Sequence, residues 1–526
     1  MFTSWLTGWM IRLVSMVAAI SDIAGTPFES APNKFEQLAA KDGLVFYSGA
    51  LNSLAVALTK IDRVDPARVD EVADAVHAVL SGTGLAEAPV FPLSAHTSDG
   101  VGELAAHLER VARTLAARDA GGHFRLAVDR CFTIAGAGLV VTGSVFSGQV
   151  SVGETVLLSP PGITARIRGL HTQNQQAETA RVGQRCALNL TGADLDKDRV
   201  HRGDWVLGEA AHAPTARFDA ELRVLASETR ALKHWTPMHL HLGAADVTCR
   251  VAVLEGGRIA PGETGLAQLV LDHAIGALAG DRFILRDQSA RRTVAGGRIV
   301  DPFAPARGRS RPARLGQLGA LRHEDPVAAL AGLVAAVPEG VDLDRFALAR
   351  NLRADETAGV FDTVDMAVLE TADGPVGMAP DSHDRLLSNY TTALAAWHDR
   401  QPDSLGPDAD SLRRAVQPRV ADAVFAAITR SLLENEKIAR RGTIVHLPDH
   451  RPEPTPADAA LWREVEPLPP THAPEQPEGK EVSDRDQGEV RRQGQVRLEH
   501  LEKIRIHAVS ALWGAHFEAS FFSSAF

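Results

Sequence analysis

Two short polar segments, each following an apolar run, carry residue types suited to recognising a purine base. The first is "TKID", with Thr59, Lys60 and Asp62, and the second is Ser94-Ala95. A carboxylate beside a purine accepts two hydrogen bonds from guanine, whereas adenine offers no such pair of donors. The stem of Lys60 can cover the base, and a backbone N–H of Ser94-Ala95 can reach the guanine oxygen. The segments predict a guanine site, with an ordinary surface turn as the alternative.

No phosphate-binding loop accompanies these segments. The sequence contains no GxxxxGKS or GxxxxGKT motif, whose amides and lysine would hold phosphates and whose hydroxyl would hold magnesium. A DxxG match at Asp22 lacks the Pro-Gly-His context, and we interpret it as a coincidence. The predicted guanine site makes GTP the expected ligand, and Mg²⁺ is expected only together with GTP. Because no phosphate loop is found, GTP hydrolysis by this chain is unsupported and no catalytic residue is assigned.

A second candidate site lies in the strand-like run "FRLAVDRCFTI". Counting alternate residues from Phe124 places Arg130 on the apolar face of this strand. An arginine there is costly unless it meets an anion, pairs with Asp129 or a carboxylate of another strand, or is turned outward by a β-bulge. The run thus predicts either a pocket for a negatively charged group or a local irregularity of the strand.

Two further sets of residues have a chemical and a structural interpretation each. His239 and His241 in "HLHLG" share one strand face and could bind a metal, but no third ligand is evident, and barrel-surface histidines are the simpler interpretation. A Pro- and Arg-rich segment could meet RNA phosphates or form a solvated flexible linker; its arginines are Arg307, Arg309, Arg311 and Arg314.

The elements that must position these residues follow from the periodicity of the chain. In 55–120, two apolar strands each precede an amphipathic helix, the first helix with Asp65 as N-cap and Pro66 at its first position. This alternation indicates a parallel α/β sheet. Short, glycine-punctuated strands then predict two small β-barrels, at 121–210 and 211–302.

The remaining segments are a linker, a helical region and two atypical ends. The linker is 303–318, followed by a winged-helix-like segment at 319–385 and a winged helix at 386–468, whose hairpin turns at Arg441-Gly442. Residues 1–54 form an atypical N-terminal segment. The composition of 469–526 predicts a disordered tail.

Composition restricts the partners and the compartment. A net charge of -11 and a pI near 6.0 argue against coating nucleic acid by bulk charge, so RNA contacts must come from local basic patches. Three distant cysteines without a CxxC pair suit a reducing cytosol and exclude a disulfide framework and a sequence-encoded zinc site. The apolar N-terminal run contains Arg12 and is too short and interrupted for a membrane span. We expect a cytoplasmic chain with no membrane partner.

Long stretches of the sequence resemble bacterial selenocysteine-specific elongation factors (SelB), relatives of the Tu-type translation factors. The similarity is dense from about Ala55 to Leu318 and includes "VALTKIDRVDPARVDEV", "FTIAGAGLVVTGSVFSGQVSVGE" and "GLHTQNQQAETARVGQRCALNL". It continues through "HLPDHRPEPTPADAALWREVEPL", where the family has winged helices that Tu-type factors lack. The resemblance implies a partial α/β GTPase-like domain, two all-β barrels of translation-factor type and α-rich winged-helix domains.

The family's function is the GTP-dependent delivery of selenocysteyl-tRNA to a ribosome at a UGA codon. The resemblance implies a selenocysteyl pocket made of Asp129, Arg130 and Arg185. Cationic residues would favour an ionised selenol over the neutral hydroxyl of serine. The family's phosphate loop and its last two winged helices, which bind an mRNA hairpin, have no match here, as expected of a truncated or frameshifted reading frame. The alternatives are a nucleotide-independent RNA-binding remnant, a non-functional product and a GTPase of another class, such as a sulfate-activating subunit.

Overall fold

The computed structural model describes residues 17–20, 55–81, 86–114, 121–136, 138–172, 175–290, 292–416 and 419–452, with 456, 460 and 463. The predictions for 1–54, apart from 17–20, and for 469–526 fall outside these residues. The chain divides into two compact units, the first comprising Met1–Val337 and Val341–Met366, the second Pro338–Gly340 and Ala367–Phe526.

The first unit opens with a parallel α/β sheet, as the alternation of strand and helix predicts. Its strands are β1 (Val17–Ile20), β2 (Ala55–Thr59) and β3 (Val90–Leu93), in that order, and its helices are α1 (Pro66–Leu80) and α2 (Val101–Thr114). Asp65 caps α1 by accepting a hydrogen bond from the backbone N–H of Arg68 at 3.0 Å. Val72 and Val76 of α1 are buried against the apolar side chains of β2.

The first barrel is built from the strands β4 to β12. They are β4 (Arg125–Ile134), β5 (Gly138–Ser147), β6 (Gln149–Ser151), β7 (Thr155–Ser159), β8 (Ile163–Thr172), β9 (Gln175–Gln176), β10 (Thr179–Arg181), β11 (Arg185–Thr191) and β12 (Trp205–Leu207). The order is β11-β5-β4-β12-β7-β8-β9, and a further pairing of β11 with β8 closes the sheet, while β6 pairs with β10. Ile163, Ala165 and Ile167 point into the core because alternate residues of a strand face opposite sides.

The second barrel is closed in the order β13-β18-β16-β15-β19-β20, with a separate pairing of β14 and β17. Its strands are β13 (Pro214–Val224), β14 (Leu232–Lys233), β15 (Thr236–Leu242), β16 (Ala245–Val253), β17 (Arg258–Ile259), β18 (Thr264–Gly276), β19 (Arg282–Arg286) and β20 (Thr293–Asp301). The predicted pair of all-β barrels is therefore confirmed as a fold.

A buried seam joins the two barrels. Trp205 of β12 is 1% exposed and shares its apolar cluster with side chains of the second barrel. The guanidinium of Arg125 lies 4.4 Å from the centre of the Trp205 ring and forms a two-pronged ion pair with Asp281. Because both charged side chains are almost fully buried, each needs the other as a partner.

A helical region completes the first unit. It contains α3 (Pro312–Leu321), α4 (Pro326–Ala336), the short strand β21 (Val341–Asp342), α5 (Leu343–Ala349) and α6 (Ala354–Thr363). Arg314 belongs to α3 and pairs with buried Asp219 and with Asp301, at 2.5 Å and 2.6 Å. The interpretation of this arginine as part of a solvated linker or an RNA contact is therefore wrong, because two carboxylates of the second barrel already bind it.

The same helical region is also bound to the first barrel. The side-chain amide of Asn351 donates to the backbone oxygen of His123 at 3.1 Å and to Ser147 Oγ at 3.0 Å. The backbone N–H of Gly122 donates to the carboxylate of Glu356 at 3.1 Å. The helical region thus has direct contacts with both barrels.

The second unit contains the predicted winged helix. Its elements are β22 (Ala367–Thr371), β23 (Gly374–Met378), α7 (Pro380–Arg400), α8 (Ala409–Ala415), α9 (Asp422–Glu434), β24 (Ala439–Arg441) and β25 (Ile444–His446). β24 and β25 form an antiparallel hairpin, in which Gly442 provides the left-handed turn with φ 63°. The β22–β23 hairpin lies within the segment 319–385 that is predicted to be winged-helix-like, and it contributes Leu369 and Met378 to the core of α7 and α9. None of the described helices is long and apolar enough to cross a membrane.

Candidate functional site

The two segments proposed to bind guanine meet at one edge of the α/β sheet. β2 and β3 are parallel, and Thr59 at the end of β2 is paired in register with Leu93 at the end of β3. The residues that follow each strand therefore emerge side by side. Lys60 adopts the left-handed conformation with φ 66° and leads into a short 3-10 turn, Ile61–Arg63, that carries Asp62.

Asp62 and Ser94 are joined by a direct hydrogen bond. Ser94 Oγ donates to Asp62 Oδ1 at 2.6 Å, and the same hydroxyl oxygen accepts from the backbone N–H groups of His96 and Thr97 at 3.1 Å and 3.2 Å. Ser94 is fully buried, whereas Asp62 and Ala95 are exposed. The hydrogen bond from Ser94 is the main reason why the pKa of Asp62 lies below its ordinary value. The arrangement presents an ionised, oriented carboxylate at an open edge.

Two of the three residues proposed for the selenocysteyl pocket form an ion pair. Arg185 of β11 binds both carboxylate oxygens of Asp129 on β4, with Nη2 at 3.0 Å from Oδ1. Thr142 of β5, the strand between them, donates its hydroxyl to Asp129 Oδ1 at 2.7 Å. The carboxylate therefore fixes Arg185 on the outer face of the barrel.

Arg130 is turned outward by a β-bulge. In the β4–β5 ladder Val128 pairs with Gly143 and Arg130 pairs with Thr142, so Asp129 is an additional residue on β4. The alternation that places Arg130 on the apolar face holds only up to Val128, beyond which Cys131 faces the core. The prediction that Arg130 lies on the apolar face is wrong for this reason, and of the explanations left open for Arg130 the bulge is correct.

Arg130 opens onto a cavity of about 600 Å³ beside β4. The cavity is lined by Asp129, Arg130, Cys131, Phe132, Lys197, Asp198, Val200, His201 and Arg202. Arg130 is part of this lining, whereas Arg185 is not. Among the residues that the structure describes, Arg185 is neutralised by Asp129, whereas Arg130 has no ion-pair partner.

The thiols near this site are kept in their neutral form. Burial raises the pKa of the Cys131 thiol, and it raises the pKa of Cys186 to about 12. A neutral thiol adds no negative charge beside Arg130 and Lys197. The free positive charge at the mouth of the cavity is therefore available to an anionic ligand.

Reasoning from the sequence did not identify several side chains of this site. Thr142 orients Asp129, and Lys197, His201 and Arg202 reach the cavity from the loop before β12. Thr142 is opposite Arg130 in the ladder, but that register depends on the bulge. The polar dipeptide Asp129-Arg130, which interrupts an apolar strand, is the one local sign of the irregularity.

The histidines of β15 are arranged around one carboxylate. His239 Nδ1 lies 3.2 Å from Asp246 Oδ1, and His241 Nε2 lies 3.9 Å from the same oxygen. Within the described part of the chain, no group of three or more His, Cys, Asp or Glu side chains is arranged to hold a metal ion. Burial lowers the pKa of His241, which favours its neutral form.

Comparison with known protein families defines the class of the chain. Residues 138–207 match the family model of elongation factor Tu domain 2. Residues 219–306 match the β-barrel domain of the selenocysteine-specific elongation factor, and residues 391–447 match a SelB winged helix. The chain thus carries translation elongation factor domains with a SelB-type barrel and a SelB-type winged helix.

Individual relatives specify the class further. The chain is 38% identical over 417 residues to the selenocysteine-specific elongation factor of Escherichia coli, covering 79% of this chain and 64% of that protein. It is 30% identical over 400 residues to the one from Desulfomicrobium baculatum, covering 75% of this chain and 62% of that protein. The chain is a homologue of the bacterial selenocysteine-specific elongation factors, which confirms the resemblance seen in the sequence.

A solved structure supports the fold independently. The crystal structure of a bacterial selenocysteine-specific elongation factor, EF-Sec, matches with a TM-score of 0.60 at 17% identity, covering 80% of this chain and 66% of that one. At this identity the likeness concerns the fold alone. The chain spans slightly less than two thirds of the length of the two relatives above.

Proposed function

We propose that this chain binds selenocysteyl-tRNA and serves as a translation elongation factor that brings it to the ribosome at UGA codons. The observation that carries the proposal is the β4 bulge, which exposes Arg130 at the cavity next to the Asp129–Arg185 pair. The relatives named as selenocysteine-specific elongation factors support it. Binding of an mRNA hairpin is expected of the family through its C-terminal module.

The chemistry of this site suits an anionic aminoacyl side chain. A selenol is more acidic than a thiol and is ionised near neutral pH, whereas the hydroxyl of serine stays neutral. Arg130 offers a charge that no carboxylate neutralises among the described residues. The ion pair with Arg185 holds the Asp129 carboxylate on both of its oxygens, so this carboxylate is directed toward Arg185 and leaves the charge of Arg130 to a ligand.

The affinity for selenocysteyl-tRNA relative to seryl-tRNA tests this role. Arg130→Gln is expected to weaken selenocysteyl-tRNA binding about tenfold through loss of one charge-assisted contact, and to leave seryl-tRNA binding unchanged. Arg168→Gln, an exposed arginine of β8 in the same barrel, is the matched control. Equal losses for both tRNAs would contradict recognition of the selenol by Arg130.

We also propose that GTP binds at the edge of the α/β sheet and regulates this delivery. The ionised carboxylate of Asp62 fits the two donors of guanine, and Thr59, Lys60, Ser94 and Ala95 surround it. The chemistry of GTP hydrolysis would come from a phosphate loop, for which the sequence has no GxxxxGKS or GxxxxGKT motif. Magnesium would accompany bound GTP.

Calorimetric titration separates guanine recognition from hydrolysis. GTP and GDP are expected to bind with preference over ATP, and Asp62→Ala is expected to abolish that preference because no acceptor pair remains for guanine. Asp99→Ala, which removes an exposed carboxylate from the loop after β3, controls for general loss of charge. Equal binding of ATP and GTP by the unmodified chain would refute the guanine site without touching the tRNA proposal.

A further inference from the structure

A second cavity, of about 450 Å³, lies on the first barrel. It shares no lining residue with the cavity beside β4. Its walls come from β7, β8, the end of β11 and the segment that follows β11. Its volume is in the range of sites for small molecules. The polar side chains that line it belong to Thr155, Thr164, Arg166, Thr191, Asp194 and Arg199.

The register of three neighbouring strands places Arg166 between two threonines. Arg166 of β8 pairs with Thr155 of β7 on one side and with Thr191 of β11 on the other. Residues directly opposite each other in neighbouring strands have their side chains on the same face of the sheet, and Thr164, two positions before Arg166, shares this face. All four residues are exposed. One guanidinium and three hydroxyl groups therefore lie together, and each can donate a hydrogen bond to an anion.

Main-chain oxygens orient both arginines of the cavity. Arg166 Nε donates to Gly153 O at 2.9 Å, and Arg199 Nη1 donates to Asp194 O at 3.2 Å. In the part of the chain that the structure describes, neither guanidinium forms an ion pair with a carboxylate. Each arginine therefore keeps its positive charge and most of its N–H donors for a ligand.

The segment after β11 adds main-chain donors to the same cavity. Ala193 and Asp194 line it, and among the described residues their backbone N–H groups have no hydrogen-bond acceptor. The preceding Gly192 lies against β8, where an added Cβ would come within 2.8 Å of Thr164 O. Successive free amides form anion-binding concavities in many phosphate sites. The amides and the two guanidiniums thus favour a compact anion.

We propose that this cavity binds a small phosphate monoester that also carries a hydrogen-bond donor. A phosphate monoester is close to a dianion at neutral pH and has three acceptor oxygens, which match the charges of Arg166 and Arg199 and the donors around them. The carboxylate of Asp194 forms no ion pair with a described side chain and suits an ammonium or hydroxyl group of the same ligand. The site is separate from the guanine edge and from the proposed aminoacyl cavity.

The surrounding charge argues against an RNA backbone as the occupant. The segment after β11 carries Asp194, Asp196 and Asp198, and Glu154 precedes β7; all four are exposed. Lys197, which lies among these aspartates in the chain, lines the other cavity. An RNA chain brings one negative charge per nucleotide, so the carboxylates would repel the phosphates on either side of the bound one. A single monoester avoids this repulsion.

Calorimetric titration of the full chain with O-phosphoethanolamine tests the site, and ethanolamine O-sulfate is the matched ligand of lower charge. The phosphate ester is expected to bind about tenfold more tightly than the sulfate ester, because two guanidiniums face a dianion rather than a monoanion. Arg166→Gln and Arg199→Gln are each expected to weaken phosphate-ester binding about tenfold, through loss of one charge-assisted contact. Arg168→Gln, which removes the next exposed arginine on the same face of β8 but outside the cavity, is expected to leave the affinity unchanged.

Further comparisons test the location and the class of the ligand. Asp194→Asn is expected to weaken binding of O-phosphoethanolamine but not of methyl phosphate, which lacks the ammonium group. Absence of binding to the folded unmodified chain would overturn the inference, as would equal affinity of the unmodified chain and both arginine variants. Loss of binding in Arg130→Gln with full affinity in Arg166→Gln would place the phosphate in the cavity beside β4 and would also overturn it. Displacement of the ester by an equal concentration of a short single-stranded RNA would show that the occupant is an RNA backbone instead.

Discussion

The buried histidine of α7 makes the stability of the second unit depend on pH. The rings of His398 and His450 are stacked with their centres 3.6 Å apart, and His398 Nε2 accepts a hydrogen bond from the backbone N–H of Leu447 at 3.2 Å. His398 Nδ1 is buried and has no hydrogen-bond partner in the described part of the chain. Burial, reinforced by the charges of His450 and His446, lowers the pKa of His398 to about 4.

The sign and size of the effect follow from proton linkage. The unfolded chain binds a proton to this side chain below about pH 6.5, whereas the folded chain does so only below about pH 4, so stability falls as the pH drops between these values. With these two pKa values, lowering the pH from 7 to 5 costs about 1.8 kcal/mol of unfolding free energy. The stability contributed by the neutral ring is complete above pH 6.5.

Hydrogen exchange of backbone amides in α7 and α9 measures this free energy locally in the full chain. When the pH is lowered from 7 to 5, the opening free energy is expected to fall by about 1.8 kcal/mol more in the unmodified protein than in His398→Phe. The phenylalanine keeps a stacked ring but cannot be protonated. His383→Phe, on the same helix beside Asp384, is the matched control and is expected to behave as the unmodified protein. An identical pH dependence in His398→Phe would refute the reasoning.

Three further substitutions test contacts within the first unit by thermal or denaturant unfolding. Arg314→Met is expected to destabilise the first unit by about 3 kcal/mol, because Asp219 is left buried and unpaired. Adding Asp219→Asn to this variant is expected to restore part of the lost stability. Full stability of Arg314→Met alone would contradict this expectation. Arg350→Met is expected to cost about 2 kcal/mol, since its guanidinium binds three carbonyl oxygens at the end of α3; an unchanged midpoint would show these bonds to be dispensable. Gly122→Ala is expected to lower the free energy of unfolding of the first unit by more than about 1 kcal/mol, because the φ of Gly122 is 76° and a Cβ would lie 2.5 Å from the Asn351 amide. Gly136→Ala isolates the backbone contribution, since Gly136 also has a positive φ but an added Cβ would meet no atom within 4 Å.

Local chemistry in the sequence was sufficient to predict several elements. Asp65 and Pro66 predict the start of α1. The carboxylate of Asp65 can accept a hydrogen bond from the first turn, and the fixed φ of Pro66 suits the first helical position. The dipeptide Arg441-Gly442 predicts the turn of the winged-helix hairpin, because glycine readily adopts the positive φ that this turn requires. These features depend on residues within a few positions of each other.

Features that depend on partners distant in the sequence could not be predicted in this way. In the sequence, Arg314 cannot be distinguished from other arginines of a Pro-rich linker, because its partner Asp219 lies 95 positions away. The pairing of Asp129 with Arg185 spans 56 positions and requires the bulge in β4. A strand pattern predicts which residues alternate, but the point at which the alternation shifts is set by the neighbouring strand.

The seam around Trp205 restricts how the two barrels can be exchanged between proteins. Its ring is covered by Gly276 of the second barrel, where any added Cβ would come within 2.6 Å of the indole, and by Arg125, whose charge Asp281 balances. A chimaera that exchanges one barrel at the 208–213 connection separates Arg125 and Trp205 from Gly276 and Asp281. To keep the seam packed and its buried charges paired, such a chimaera must retain these four residues as one set.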